Sequence, residues 1–186
     1  MARPDIYYVG LDIYDQPHGT YDTNTGIADE YILTSAEEFP GEIEQRKSLF
    51  DAVVSAHNIE HCLFPEETLT AMIRALRIGG RLYMSFPCAE SIDFPKRKGT
   101  LNFFDDQTHR YLPNLDHIVN ILRSEGCKID FFTKRYRPTL PFIVGMFLEP
   151  LSILMNRCMP LTSTWALYGF ETVIWATRTS PNASVS

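Results

Sequence analysis

No two of the ten glycines in this 186-residue chain stand in Gly-x-Gly spacing. That excludes, from the sequence as written, the tight glycine turn on which many nucleotide-binding βαβ units rely. The four cysteines (Cys62, Cys88, Cys127, Cys158) form no CxxC pair. A zinc ribbon and a disulfide framework are both excluded, and a reducing cytoplasm is the expected compartment. A basic surplus is also missing: the formal charge is −6, which argues against nucleic acid as a partner. The short clusters Lys96-Arg97-Lys98 and Lys134-Arg135 with Arg137 read as solvated surface, or as contacts to an anionic substrate. Met1-Ala2-Arg3-Pro4-Asp5 carries no apolar core of a signal peptide. The most apolar stretch, Leu140 to Met155, is broken by Glu149-Pro150 and is too short to span a bilayer. Core helices or a lid are expected there, with peripheral membrane contact as the lesser alternative.

Strands and helices alternate along the rest of the chain. Residues 6–13 are β-branched and aromatic, a strand ending on Asp12 and Ile13. Residues 14–29 read as a long loop, 30–35 as a second strand and 42–49 as a short helix. Phe50-Asp51-Ala52-Val53-Val54-Ser55-Ala56 is a valine-rich run bounded by polar residues, the pattern of a strand buried on both faces. It runs directly into His57-Asn58-Ile59-Glu60-His61, at the carboxyl end where α/β folds place ligands. Pro65-Glu66-Glu67 opens a helix whose Leu69, Met72, Ile73 and Leu76 form one apolar stripe. Gly79-Gly80 is expected to stop it, and 81–87 is the next strand. A helix over Leu115, Ile118, Val119 and Leu122 follows, started by Pro113 or Asn114. The strands 128–136 and 172–177 lack a helical crossover and are expected to pair antiparallel at one edge. The whole predicts one domain over 1–179 with an apolar insertion at 137–163, and a disordered tail at 180–186.

Residues 50–61, the helix after them and Leu76-Arg77-Ile78-Gly79-Gly80-Arg81-Leu82 together resemble class I S-adenosylmethionine (SAM)-dependent methyltransferases over about residues 6 to 135. The resemblance implies an α/β, Rossmann-like fold. Its sheet is mostly parallel, with helices on both faces, an antiparallel C-terminal strand pair, and the family's first strand missing. It implies SAM as cofactor. Asp12, with Ile13 beside it, matches the acid that accepts hydrogen bonds from the ribose hydroxyls. Ser35, Ala36 and Glu37 match the adenine segment, where many relatives carry aspartate in place of Ser35. Ser55, Ala56 and His57 match the strand end near the methionine portion. The acceptor is expected to be a small molecule or a glycan-linked group, as in relatives that accompany surface-polysaccharide synthesis. His57, Asp106 and His109 are the candidate catalytic groups, since histidine titrates near neutral pH. His61, Arg97, Lys98 and Asn102 are the candidate acceptor-binding groups. Each also has a structural reading, as a capping, packing or solvated residue.

Only eleven residues precede Asp12, too few for the strand, glycine turn and helix of a βαβ unit, which need roughly 30. Three explanations follow: a truncated start, a non-catalytic methyltransferase-like subunit that binds a partner protein, or a site completed by a second copy or another chain. His57-Asn58-Ile59-Glu60-His61 also spells H-x-x-E-H, the inverted zinc-hydrolase signature. That chemistry needs both histidines on one helical face. A segment leaving a strand and meeting Pro65 does not promise such a helix, so no metal is assigned, and a zinc-dependent hydrolase through His57, Glu60 and His61 stands as the second alternative function.

Overall fold

The computed structural model describes residues 5–13 and 28–179; the loop expected at 14–29 (apart from 28 and 29) and the tail at 180–186 lie outside them. The strands are β1 (Val9–Ile13), β2 (Glu30–Thr34), β3 (Phe50–Ala56), β4 (Leu76–Pro87), β5 (Cys127–Thr133) and β6 (Glu171–Arg178). The helices are α1 (Phe39–Glu44), α2 (Pro65–Ala75), α3 (Leu115–Ser124), α4 (Thr139–Met155) and α5 (Ser163–Tyr168). They make an α/β fold with a mixed sheet.

The sheet comes in two pieces. β1 and β2 pair in parallel, and β3-β4-β6-β5 form the second piece, with β3 parallel to β4 and β6 antiparallel to both its neighbours. The two C-terminal strands therefore pair antiparallel as expected, with β6 inside the sheet. Among the described residues, neither the free edge of β1 nor that of β3 has a strand partner. This overturns the expectation of a strand buried on both faces. In β3 only Ser55 is buried, and Val54 is 71% exposed. The valine run is a genuine strand signal, but an edge strand buries only what its one neighbour and the helices cover.

The main core lies against the larger piece. Leu69 and Ile73 of α2 and Ile118 and Leu122 of α3 pack on Leu82, Met84 and Phe86 of β4 and Ile174 of β6. Alternate residues of a strand share a face, so these sheet residues form a single inner layer. A second cluster, Phe39 and Ile43 of α1 with Ala71, Met72 and Ala75 of α2, reaches Leu11 and Ile13 of β1. Thus α1 ties the small sheet to the large one across the gap. Each fully buried leucine, isoleucine or phenylalanine contributes about 1.5–3 kcal/mol. On the opposite face, Val54, Tyr83, Trp175 and Phe131 stand in one row across four strands, three of them exposed.

Several boundaries moved for local reasons. α1 starts at Phe39, three residues before the expected 42, because Pro40 suits a first turn and Ser35 accepts from the Glu38 amide at 3.1 Å. α2 ends at Ala75, since Leu76 is already extended. Gly79 instead makes a left-handed excursion (φ 82°) inside β4, where the pairing with β3 jumps from Phe50↔Leu76 to Ala52↔Arg81. α3 begins as its sequence promises, with the Asn114 side chain accepting from the His117 amide at 3.0 Å.

The 137–163 segment holds α4 and leads into α5, on which α4 packs. α4 runs through Pro150, which removes one intrahelical donor without ending the helix. Its close approach to α5 depends on Gly145: a Cβ there would meet the Ser163 carbonyl oxygen at 2.3 Å and Leu167 Cβ at 3.0 Å. Gly145→Ala is expected to cost about 1–3 kcal/mol, read as a lower urea midpoint at unchanged slope. No helix among the described residues is long and apolar enough to cross a membrane.

Candidate functional site

Asp12 closes β1. Its Oδ1 accepts from the Ile13 amide at 2.8 Å and its Oδ2 from the Tyr31 hydroxyl at 3.0 Å. Asp12, Ile13, Ala36 and Phe39 line one wall of a cleft, and Asn58, His61, Cys62 and Leu63 line the other. Three of the seven residues predicted to hold cofactor are therefore on the cleft wall. Ser35 is turned to its own helix start, donating to Glu38 Oε2 at 3.3 Å. Glu37 is exposed. Ser55 and Ala56 sit at the end of β3, with the Ser55 hydroxyl buried and without a hydrogen-bond partner.

The segment after β3 does not form one helix. His57 adopts φ 48° while its amide bonds the Ser85 carbonyl at 2.9 Å, and Ile59–His61 is a single 3₁₀ turn. The left-handed residue throws His57 and His61 to different sides. His57 Nδ1 meets Glu60 Oε1 at 3.0 Å and Nε2 meets Glu171 Oε1 at 2.8 Å. Its ring lies 5.0 Å from that of Trp165 and 6.0 Å from that of Phe170. Burial opposes the charge, but the hydrogen bonds from Glu171 and then Glu60 outweigh it and raise the His57 pKa to about 9. An imidazolium with both nitrogens donating has no lone pair for a proton. Held between two carboxylates, His57 is a half-buried cation instead of the expected base, and it stands apart from the His61 ring that a zinc triad would need beside it.

His61 instead meets His109. The Glu60 carbonyl accepts from the amides of Arg110 (2.9 Å) and Tyr111 (3.1 Å), which pins the 103–111 loop against the 3₁₀ turn. The two rings then stand 4.8 Å apart. His109 Nδ1 faces the Phe103 carbonyl at 2.6 Å, so it must carry the hydrogen. His61 Nδ1 faces Thr108 Oγ1 at 2.9 Å, and that hydroxyl spends its own hydrogen on Asp106 Oδ1 at 2.6 Å. Both histidines are thus oriented through Nδ1, and Nε2 of His109 stands 4.0 Å from Asp106 Oδ2. Asp106 also accepts from the Thr108 amide at 2.8 Å. Burial acts against its ionised form, but the Thr108 hydrogen bonds outweigh burial and hold its carboxyl below the ordinary range. Through Thr108 it is linked to His61.

Of the remaining residues expected to bind the acceptor, Arg97 and Asn102 are held by partners in the interior, and Lys98 keeps an exposed side chain. Arg97 is 6% exposed, its guanidinium bonded to Glu149 (2.7 and 2.9 Å), Ser152 (2.6 Å) and the Tyr168 hydroxyl (3.2 Å). Asn102 is buried and caps the Phe103–Asp105 turn, while its Nδ2 donates to the Ile92 and Phe94 carbonyls. Lys98 is clamped through its backbone to Asn156 and Cys158, with its side chain exposed. Burying a guanidinium demands a full set of acceptors, and tertiary structure supplied them from α4 and α5. Glu171, Thr108 and Trp165 join the site without having been singled out. Thr108 was legible as a Thr near His109, whereas Glu171 is 114 residues from its partner His57.

The wall at the end of β1 fits the adenosine half of a nucleoside ligand: a carboxylate at a strand end for the ribose, and small and apolar neighbours for the base. Among the described residues no glycine turn faces it for the other half. The methyltransferase domain family matches residues 3–130, and the chain belongs to that family. No curated protein matches it. Among solved structures, a SAM-dependent methyltransferase from Mesorhizobium loti is 14% identical, with a TM-score of 0.61, over 92% of this chain and 80% of that one. One from Archaeoglobus fulgidus is 16% identical, with a TM-score of 0.52, over 91% and 75%. The complex between the Haloferax volcanii Trm112 methyltransferase activator and a methyltransferase gives 12% identity and a TM-score of 0.61 over 92% and 72%. At these identities the likeness is one of fold.

Proposed function

We propose that this cleft binds SAM through its adenosine half and directs methyl transfer to a hydroxyl of a small-molecule or glycan-linked acceptor. The observation that carries this reading is that Asp12, Ile13 and Ala36 share one cleft with His61, whose ring stands 4.8 Å from that of His109. SAM supplies a methyl group on a sulfonium, an electrophile that needs an aligned nucleophile and little else. Asp12 would accept from the ribose hydroxyls. As the acceptor oxygen bonds the methyl carbon, the carbon–sulfur pair returns to sulfur. His109 Nε2 would take the departing proton, held in its tautomer by the Phe103 carbonyl. Phe104, 62% exposed beside this cluster, offers an apolar platform for a sugar ring.

Calorimetric titration with SAM and with its demethylated product tests the reading. Wild-type chain should bind, and Asp12→Asn should weaken binding by at least tenfold, since a hydrogen bond to a charged group contributes about 1.5–3 kcal/mol. Absence of binding in the wild type would favour a second reading. In it the chain is a non-catalytic subunit, or needs another chain to complete the site. The unpaired edges of β1 and β3 support this second reading, because an open parallel edge is a template for a further strand. Four free cysteines suit a cytoplasmic protein. The exposed apolar side chains of α4, among them Leu140, Phe147 and Leu154, suit a partner or a membrane surface.

A further inference from the structure

The cluster behind the cleft has the chemistry of a metal site. We infer that Glu60, His61 and His109 bind one divalent transition-metal ion of the Zn²⁺ class.

One ligand atom from each of the three lies within 4.8 Å of the others. Glu60 is fully buried, and its Oε2 has no hydrogen-bond partner. An orphaned, buried carboxylate oxygen is costly in a folded protein, and a cation beside it would remove that cost. The histidines are prepared in the way metal ligands are. Each donates Nδ1–H to a fixed acceptor, the Phe103 carbonyl for His109 and the Thr108–Asp106 pair for His61. Such outer contacts set tautomer and ring direction for ligation through the other nitrogen. Two histidines and one carboxylate leave a fourth position open, the pattern of catalytic rather than structural zinc.

Two features set the affinity. Bonds of about 2.1 Å around a tetrahedral ion place ligands about 3.4 Å apart, so the cluster must contract on binding. His61, partly exposed on a short turn, is the side chain free to move. His57 holds Glu60 Oε1 and carries positive charge, which opposes a second cation; Glu171 and Asp106 offset it from the other sides. The expected affinity is therefore micromolar, not the far tighter binding of a four-ligand structural site. A bound ion would replace His109 as the group acting on the acceptor. It would ligate the hydroxyl oxygen and lower its pKa, and the proton would leave to solvent.

The inference goes beyond the methyl-transfer reading and is tested without SAM. Full-length chain, stripped with chelator, is titrated with ZnCl₂ and, in parallel, with CoCl₂ followed by visible absorption. One ion per chain is expected, with a tetrahedral cobalt spectrum. His61→Ala and His109→Ala should each weaken binding at least tenfold, while Cys62→Ser and His117→Ala should leave it unchanged. Circular dichroism of each variant separates ligand loss from unfolding. Should His109→Ala fail to fold, His61→Ala alone decides, since that side chain is partly exposed. Absent stoichiometric binding, equal binding by the folded histidine variants, or loss of binding in Cys62→Ser or His117→Ala would each overturn the site.

Discussion

Replacing Glu149 by alanine is expected to remove about 3–5 kcal/mol of stability, the largest single effect anticipated for this chain outside its apolar core. The side chain of Arg97 is 5% exposed and meets both carboxylate oxygens of Glu149. Without that carboxylate a guanidinium stays in the interior with only Ser152 and Tyr168 for partners. For a domain of this size, each kcal/mol moves Tm by about 2–4 °C, so a fall of roughly 6–20 °C should appear in a thermal melt. The double variant Arg97→Met, Glu149→Leu should recover most of the loss, because a buried ion pair and a packed apolar pair are close in free energy. If Glu149→Ala alone leaves the melt unchanged, the pair is not buried as described. The pH sign is set by Glu149. Its hydrogen bonds with Arg97, followed by that from Tyr168, depress its carboxyl pKa against the opposing effect of burial. Its contribution is therefore present above the unfolded carboxyl pKa and lost as the pH falls through the depressed value.

His57→Ala should cost nearly as much, about 3 kcal/mol or more, and for the mirror-image reason. It removes the cation that neutralises Glu60, whose side chain is wholly buried, and Glu171. Here the pH dependence runs the other way. A histidine raised from 6.5 to about 9 contributes stability that is full below pH 6.5 and disappears as the pH climbs through 9. The two-and-a-half-unit shift corresponds to about 3 kcal/mol at most. Urea denaturation of the wild type between pH 6 and 10 should show that loss. His57→Gln should show a flatter profile from a lower starting point, and a wild-type curve without slope across this window would contradict the buried imidazolium.

These two residues also mark where reading the sequence stops. Arg97 stood in a basic cluster that reads as solvated surface or as a contact to an anionic substrate, and His57 stood at a strand end as a candidate catalytic group. Their partners lie 52 and 114 positions away, and nothing in local periodicity connects such distances. Asp12 was singled out through the family resemblance, since locally an acid at a strand end next to Ile13 reads as a cap or the start of a loop. His61 and His109 were each legible as candidates, but not as neighbours. What joins them is the Glu60 carbonyl and the 103–111 loop, which has no repeating pattern to read.

By itself the sequence determined the elements: the apolar stripe of α2, the Asn114 cap of α3, the strands, and the acid that ends β1. These follow from side-chain periodicity and capping, which act within a few residues. Tertiary structure alone decided that β3 stands at an edge and that Gly79 bends a strand. It also decided that Arg97 is a buried cation and His57 a half-buried one, and that Glu60, His61 and His109 converge. The physical reason is desolvation. Whether a charge is a ligand, a base or a strut depends on which carboxylates are folded against it, and chain neighbours do not set that.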